Sequence, residues 1–188
     1  MCLAALLCAA AAHAAPIPAP DNWRSETFKF PLVFAPSIPF EGTEQVRFSP
    51  AWARFANPDG FTYVFLWDLK PESLEAAHLE RALAVYFDSL MENAARGRKL
   101  SELPVPAAVV LHPMQAPPGW AQAYAGEIYT WNAFSRGEEL HLAIEITHRL
   151  CDAGHMQVFY AVSKAERRAT TWNQLREIRG NTQCNPAP

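Results

Sequence analysis

Alternating hydrophobic and polar positions predict several β-strands in the first part of the chain. Apolar side chains alternate over residues 27–40, but three prolines in this segment restrict it to a sheet edge or an irregular path. Residues 42–48 form a second, shorter strand candidate. Residues 61–69 carry aromatic and branched side chains on both faces, which is typical of a strand buried between layers. We therefore predict a central strand at 61–69.

Helical spacing of apolar residues predicts one long helix and one short helix. The long helix follows Pro71 and Ser73 and ends near Gly97, where the left-handed backbone of a C-terminal cap suits glycine. The apolar stripe of this helix consists of Leu79, Leu83, Tyr86 and Leu90. The short helix begins after an N-cap at Thr170 or Thr171 and presents an apolar face of Trp172, Leu175 and Ile178.

The remaining strand candidates lie after the long helix. They cover residues 105–111, 120–134, 140–150 and 156–163. Turn-like linkers separate the last three, which predicts three consecutive antiparallel strands. The order of strands, long helix, strands and short helix predicts an α+β fold, in which a mainly antiparallel sheet packs against one long helix and a short helix follows at the C-terminus.

The first fourteen residues predict a signal peptide. Leucines among alanines form a short apolar run, and Ala12-His13-Ala14 offers small residues at the alternate positions that a signal peptidase accepts. We therefore predict a periplasmic or secreted protein with no membrane anchor after cleavage. The domain organisation predicted is a signal peptide at 1–14, an extended proline-rich tether at 15–26 and a single α+β domain at 27–188.

Composition and charge predict a folded domain and argue against a nucleic-acid partner. Half of the residues are hydrophobic, 12% are aromatic and 19% are charged, which is typical of a folded domain with a sizeable core. The formal net charge of -3 provides no electrostatic reason to bind nucleic acid, so we predict no nucleic-acid partner.

The state of the cysteines, disulfide-bonded or free, determines whether a metal site is possible. Signal cleavage would remove Cys2 and Cys8, which leaves Cys151 and Cys184 as one expected disulfide in an oxidising compartment. The alternative is a metal site built from His148, Cys151, Asp152 and His155. That site needs Cys151 as a thiolate, as does a role for Cys151 as a nucleophile. We therefore favour the disulfide, keep His148 and His155 as weaker metal candidates and predict no cofactor.

Candidate acid–base residues lie on the predicted strand at 140–150. Alternation places His141 and Glu145 on one face, where they could share a proton in a cleft. The favoured interpretation is that this face is the solvated side of an amphipathic strand. His112 is a further catalytic candidate. The common sequence signatures of hydrolases and nucleotide-binding enzymes do not occur.

Candidate binding residues fall in two segments. Glu44, Arg47 and Trp52 lie in a stretch that mixes charged and aromatic residues, where Arg47 could equally pair with a carboxylate and Trp52 fill the core. Tyr129 and Trp131 could form an aromatic wall on the preceding strand. With 22 aromatic residues and no catalytic signature, we predict an exported, non-enzymatic binding or accessory protein that takes a protein or a small apolar ligand. The alternatives are an exported hydrolase using the histidine and glutamate candidates, and a structural envelope protein.

Overall fold

The computed structural model describes residues 17–71, 73–98, 100, 105–151 and 154–184. The predicted signal peptide at 1–14 lies outside the described residues. In chain order, the described elements are β1 (Arg24–Lys29), β2 (Gly42–Phe48), β3 (Tyr63–Leu69), α1 (Ala76–Arg98), β4 (Ala108–Met114), β5 (Gln122–Trp131), β6 (Glu139–Cys151), β7 (His155–Ser163) and α2 (Thr170–Asn181). The predicted α+β class is confirmed, including the long helix and the short C-terminal helix.

All of these strands form one antiparallel sheet in the order β1-β2-β3-β7-β6-β5-β4. Strands β1 to β3 form one meander and β4 to β7 form another, and the two meet where β3 pairs with β7. Helix α1 connects the interior strand β3 to β4, which lies at the edge opposite β1. The helix must therefore cross one face of the sheet. The interior position of β3 agrees with its apolar character on both faces.

The main core lies between α1 and the sheet. Leu79, Leu83 and Tyr86 of the predicted stripe are buried there, and Leu90 is partly buried. From the sheet, the Phe65 ring stacks on Tyr86 of the helix with a centroid distance of 5.3 Å. Burial of each large apolar side chain contributes roughly 1.5–3 kcal/mol relative to its exposure to water, so this face supplies much of the stabilisation.

A second, smaller core covers the other face of the sheet. Trp172, Leu175 and Ile178 of α2 are buried as predicted, and they belong to one cluster with sheet residues such as Leu66 and Phe159. The sheet therefore has a helix on each face. The interpretation of the His141–Glu145 face as solvated is wrong for Glu145, which is 3% exposed because α2 lies beside it.

The N-terminal segment differs from an extended tether where the structure describes it. Ile17 and Trp23 are buried in the second core, and β1 begins at Arg24, earlier than predicted. The apolar side chains among the prolines account for this difference, since they fill space beside α2. Strand β1 ends at Lys29, and the proline-containing segment after it follows an irregular path.

The predicted disulfide joins Cys151 at the end of β6 to Cys184 beyond α2, with the two Cα atoms 5.6 Å apart. It attaches the C-terminal end of α2 to the rim of the sheet. In the chain-entropy model, closing a loop of this size contributes about 3 to 4 kcal/mol. The predicted threonine cap is wrong: the N-cap of α2 is Ala169, and the Thr171 hydroxyl instead donates to Asp59 at 2.6 Å.

Candidate functional site

An aromatic pocket of about 300 Å³ opens on the α1 face of the sheet. Most of its lining residues are aromatic: Phe28, Phe34, Phe48, Trp52, Phe61, Tyr63, Tyr86 and Phe134. They come from β1, the segment after it, β2, the 49–62 loop, β3, α1 and the β5–β6 turn. The polar and charged lining residues are Arg24, Glu26, Glu44 and Asn93.

Strand β2 places Glu44 in this pocket through the ordinary alternation of a strand. Glu44, Val46 and Phe48 share the face toward α1, and all three line the pocket. Strand β2 starts at Gly42, whose φ of +145° suits glycine, and a Cβ atom there would lie only 2.0 Å from the Asp68 carbonyl oxygen. In the pairing of β2 with β3, Glu44 lies opposite Trp67.

The Glu44 carboxyl is fully buried, at 0% exposure, and accepts two hydrogen bonds. The Trp67 indole N–H donates to Oε2 at 2.6 Å, and the Tyr86 hydroxyl donates to Oε1 at 3.3 Å. Burial raises the pKa of Glu44 from 4.5 to about 7, and the two hydrogen bonds offset only part of that rise. None of the ion pairs among the described residues includes Glu44.

Two polar atoms of the pocket walls are buried without a partner. The Tyr63 hydroxyl and the Trp52 indole N–H have no hydrogen-bond partner within the described part of the chain. A buried polar group that makes no hydrogen bond costs about 1–3 kcal/mol. Buried atoms of residues outside the pocket, such as Thr147 Oγ1, also lack a partner in the described part of the chain, so this feature alone does not mark a ligand site.

At the pocket mouth, a cation already lies over the aromatic rings. The Arg24 guanidinium carbon lies 4.5 Å from the Phe48 ring centroid and 5.6 Å from the Trp52 ring centroid. Arg24 also forms an exposed ion pair with Glu26 at 3.4 Å. The ring faces at the mouth are thus oriented to accept a positive group.

Tyr129 and Trp131, the predicted aromatic wall, line a different hollow of about 520 Å³ beside the β5–β6 pairing. The Tyr129 ring stacks on His141 with centroids 4.6 Å apart, and His141 Nε2 lies 2.8 Å from Glu127. Although this hollow is larger than the aromatic pocket, its ionisable side chains, Tyr129, Glu139 and His141, are exposed to solvent. The aromatic pocket is therefore the stronger candidate.

Arg47 lies on the opposite face of β2 from Glu44. Its guanidinium donates to the Val46 carbonyl at 2.9 Å and to Gln45 Oε1 at 3.3 Å, and burial lowers its pKa. Of the predicted binding residues, Glu44 and Trp52 thus share the aromatic pocket, whereas Tyr129 and Trp131 share the other hollow.

The structure separates the predicted acid–base pair. Glu145 forms ion pairs with Arg176 at 2.6 Å and Arg179 at 3.1 Å, both from α2. His141 instead pairs with Glu127. His112 is exposed on the edge strand β4.

The residues of the predicted metal cluster have other partners. Cys151 is in the disulfide, His148 Nε2 lies 3.0 Å from Gln122 Oε1, and His155 Nδ1 lies 2.7 Å from Asp68 Oδ1. Asp152 lies outside the described residues. No group of three or more His, Cys, Asp or Glu residues that could hold a metal occurs in the described ranges.

Sequence analysis missed most of the pocket residues. Tyr63, Tyr86 and Phe134 come from segments far apart in the chain, so no local spacing connects them. One signal was available: Glu44 has the same strand phase as Val46 and Phe48, which places a carboxylate on an apolar face.

No protein-family model matches this chain, and a search among curated proteins finds no significantly similar sequence. No helix in the described ranges is both long and apolar enough to cross a membrane. The geometry of the aromatic pocket is therefore the basis for proposing a function.

Proposed function

We propose that this protein is an exported, non-enzymatic binding protein that holds a small, mainly apolar ligand in the aromatic pocket. The observation that carries this proposal is the fully buried carboxyl of Glu44 in a cavity whose other walls are mainly aromatic rings. A concave, largely apolar site with a few placed polar groups is the usual form of a small-molecule site.

The size of the cavity limits the ligand. Its volume of about 300 Å³ lies at the lower end of the roughly 300–1,000 Å³ that is usual for ligand pockets. A single ring with a short substituent suits this space. Ligand contacts with the rings of Trp52 and Tyr63 would provide apolar area.

One further observation is compatible with export, and another weighs against the hydrolase alternative. The Cys151–Cys184 disulfide is compatible with an oxidising compartment, to which the apolar N-terminal run would direct the chain. The histidine and glutamate of the hydrolase alternative have separate partners, because Glu145 is bound by two arginines of α2.

Native mass spectrometry of the protein purified from its own compartment tests this proposal. We expect a bound small molecule in the wild type, and at least tenfold lower occupancy in Leu90→Trp, because the indole would narrow the pocket that Leu90 lines. The matched control is Leu150→Trp, at a position that is 70% exposed and outside the pocket. Equal occupancy in the two variants, or reproducible turnover by protein that carries no bound molecule, would contradict the proposal.

A further inference from the structure

The charges that line the aromatic pocket do not balance. Arg24 and Glu26 pair with each other at the mouth, with 3.4 Å between Nη2 and Oε1. Glu44 is the remaining charged lining residue, and its described hydrogen-bond partners, Trp67 and Tyr86, are neutral donors. When Glu44 is ionised, the pocket therefore carries a net charge of about -1 in a water-poor site, where a missing counterion has a large energetic effect.

The pocket walls also favour a cation. An aromatic ring presents a negative face, which attracts a positive group within about 6 Å of its centroid. Arg24 lies at such distances from the Phe48 and Trp52 rings. Arg24 is itself exposed, so its side chain can move away from the mouth when a ligand enters.

We propose, on the basis of the function proposed above, that the pocket recognises a small organic cation. The positive group, an alkyl- or arylammonium, faces the Glu44 carboxylate, and its apolar part contacts the surrounding rings. The ligand thus supplies the countercharge that the described residues of the pocket lack. No covalent step is involved.

Affinity for such a ligand depends on the ionisation of Glu44. The titratable groups around it are Glu26 from β1, Tyr63 from β3, Tyr86 from α1 and Tyr160 from β7. Burial raises the pKa of each of these tyrosines well above 10, so they stay neutral between pH 5 and pH 8. His78 of α1 contacts Phe40 instead. Within this interval, Glu44 with its pKa of about 7 changes charge.

The test compares phenyltrimethylammonium with tert-butylbenzene, its neutral isostere, by isothermal titration calorimetry on the disulfide-bonded protein. A quaternary ammonium keeps its charge at every pH, so any pH effect belongs to the protein. At pH 8 we expect the cation to bind at least about tenfold more tightly than the isostere. At pH 5 its affinity should fall at least about tenfold, while that of tert-butylbenzene changes little.

Glu44→Gln should abolish the preference for the cation and its pH dependence, while tert-butylbenzene still binds. The matched control is Glu41→Gln, at an exposed carboxylate that pairs with Lys70 outside the pocket and should leave both affinities unchanged. If Glu44→Gln does not fold, the wild-type comparison at the two pH values decides. Binding of tert-butylbenzene as tight as that of the cation would overturn the inference and leave the binding function standing. Binding of neither probe would overturn both.

Discussion

The two faces of the sheet each bury a carboxyl, and the two carboxyls have different surroundings. Glu145 on the α2 face is held by two arginines, whereas Glu44 on the α1 face accepts hydrogen bonds from neutral donors beside a cavity. Their exposures, 3% and 0%, are nearly equal. Burial alone therefore does not distinguish a structural carboxyl from a functional one. The distinction depends on whether the protein itself supplies the countercharge.

The largest expected effect concerns the structural carboxyl. Glu145→Ala leaves Arg179, whose side chain is 12% exposed, buried without its partner, so we expect the free energy of unfolding to fall by about 3–5 kcal/mol. Urea denaturation measures this loss. The control is Glu127→Ala, which breaks the more exposed pairs with Arg167 and His141 and should cost less than Glu145→Ala, by about 1 kcal/mol per exposed pair at most. Equal losses in the two variants would show that the burial of Arg179 adds nothing to the cost of removing its partner.

An effect of intermediate size concerns Glu44 and pH. Its folded-state pKa of about 7 lies above the unfolded value of 4.5, so the folded state binds the proton more tightly. The associated stability is fully present below pH 4.5 and is lost as the pH rises through 7, by about 3 kcal/mol in total. We expect the wild type to lose about 3 kcal/mol more than Glu44→Gln between pH 4 and pH 8 in denaturant unfolding. If the free energy of unfolding changed with pH in the same way in both proteins, burial would not destabilise the ionised form of Glu44.

The smallest effect separates two tyrosines of the α1 face. The Tyr160 hydroxyl has no hydrogen-bond partner in the described part of the chain, so Tyr160→Phe should be neutral or stabilising by up to about 1 kcal/mol. Tyr86→Phe removes the donor to Glu44 and should destabilise the protein by about 1 kcal/mol at pH 8, where Glu44 is ionised. Chemical denaturation of both variants at that pH measures the difference. A greater loss for Tyr160→Phe would contradict this assignment of partners.

Much of the fold could be predicted because its signals are local. Periodicity located α1, a run of aromatic and branched residues located β3, and the pair of cysteines expected to remain after the predicted signal cleavage predicted the bridge from Cys151 to Cys184. It was harder to predict which face of the sheet is covered by a helix. Alternation divides the residues of β6 between two faces but does not show what packs on each face. The polar residues on the face that carries Glu145 predicted exposure to solvent, whereas the arginines of α2 cover this residue.

The candidate site could be predicted only in part because it is assembled by tertiary structure. Glu44 and Trp52 lie close in sequence, and both were predicted as binding residues. Tyr86 joins them because α1 crosses the sheet, and Phe134 joins them from the turn before β6. A single sequence contains no signal that residues so far apart in the chain line the same pocket. Alternation in the predicted strand at 42–48 already places Arg47 on the opposite face from Glu44, but it does not show which partners Arg47 has there.

The position of β1 at the edge of the sheet has a consequence for ligand exchange. This strand supplies Arg24, Glu26 and Phe28 of the pocket, yet it pairs with β2 alone. Separating β1 from the sheet breaks one ladder of hydrogen bonds, whereas opening any interior strand breaks two. We therefore expect local fraying of this edge to widen the pocket mouth beside Arg24, so that ligand exchange does not require unfolding of the six strands behind it.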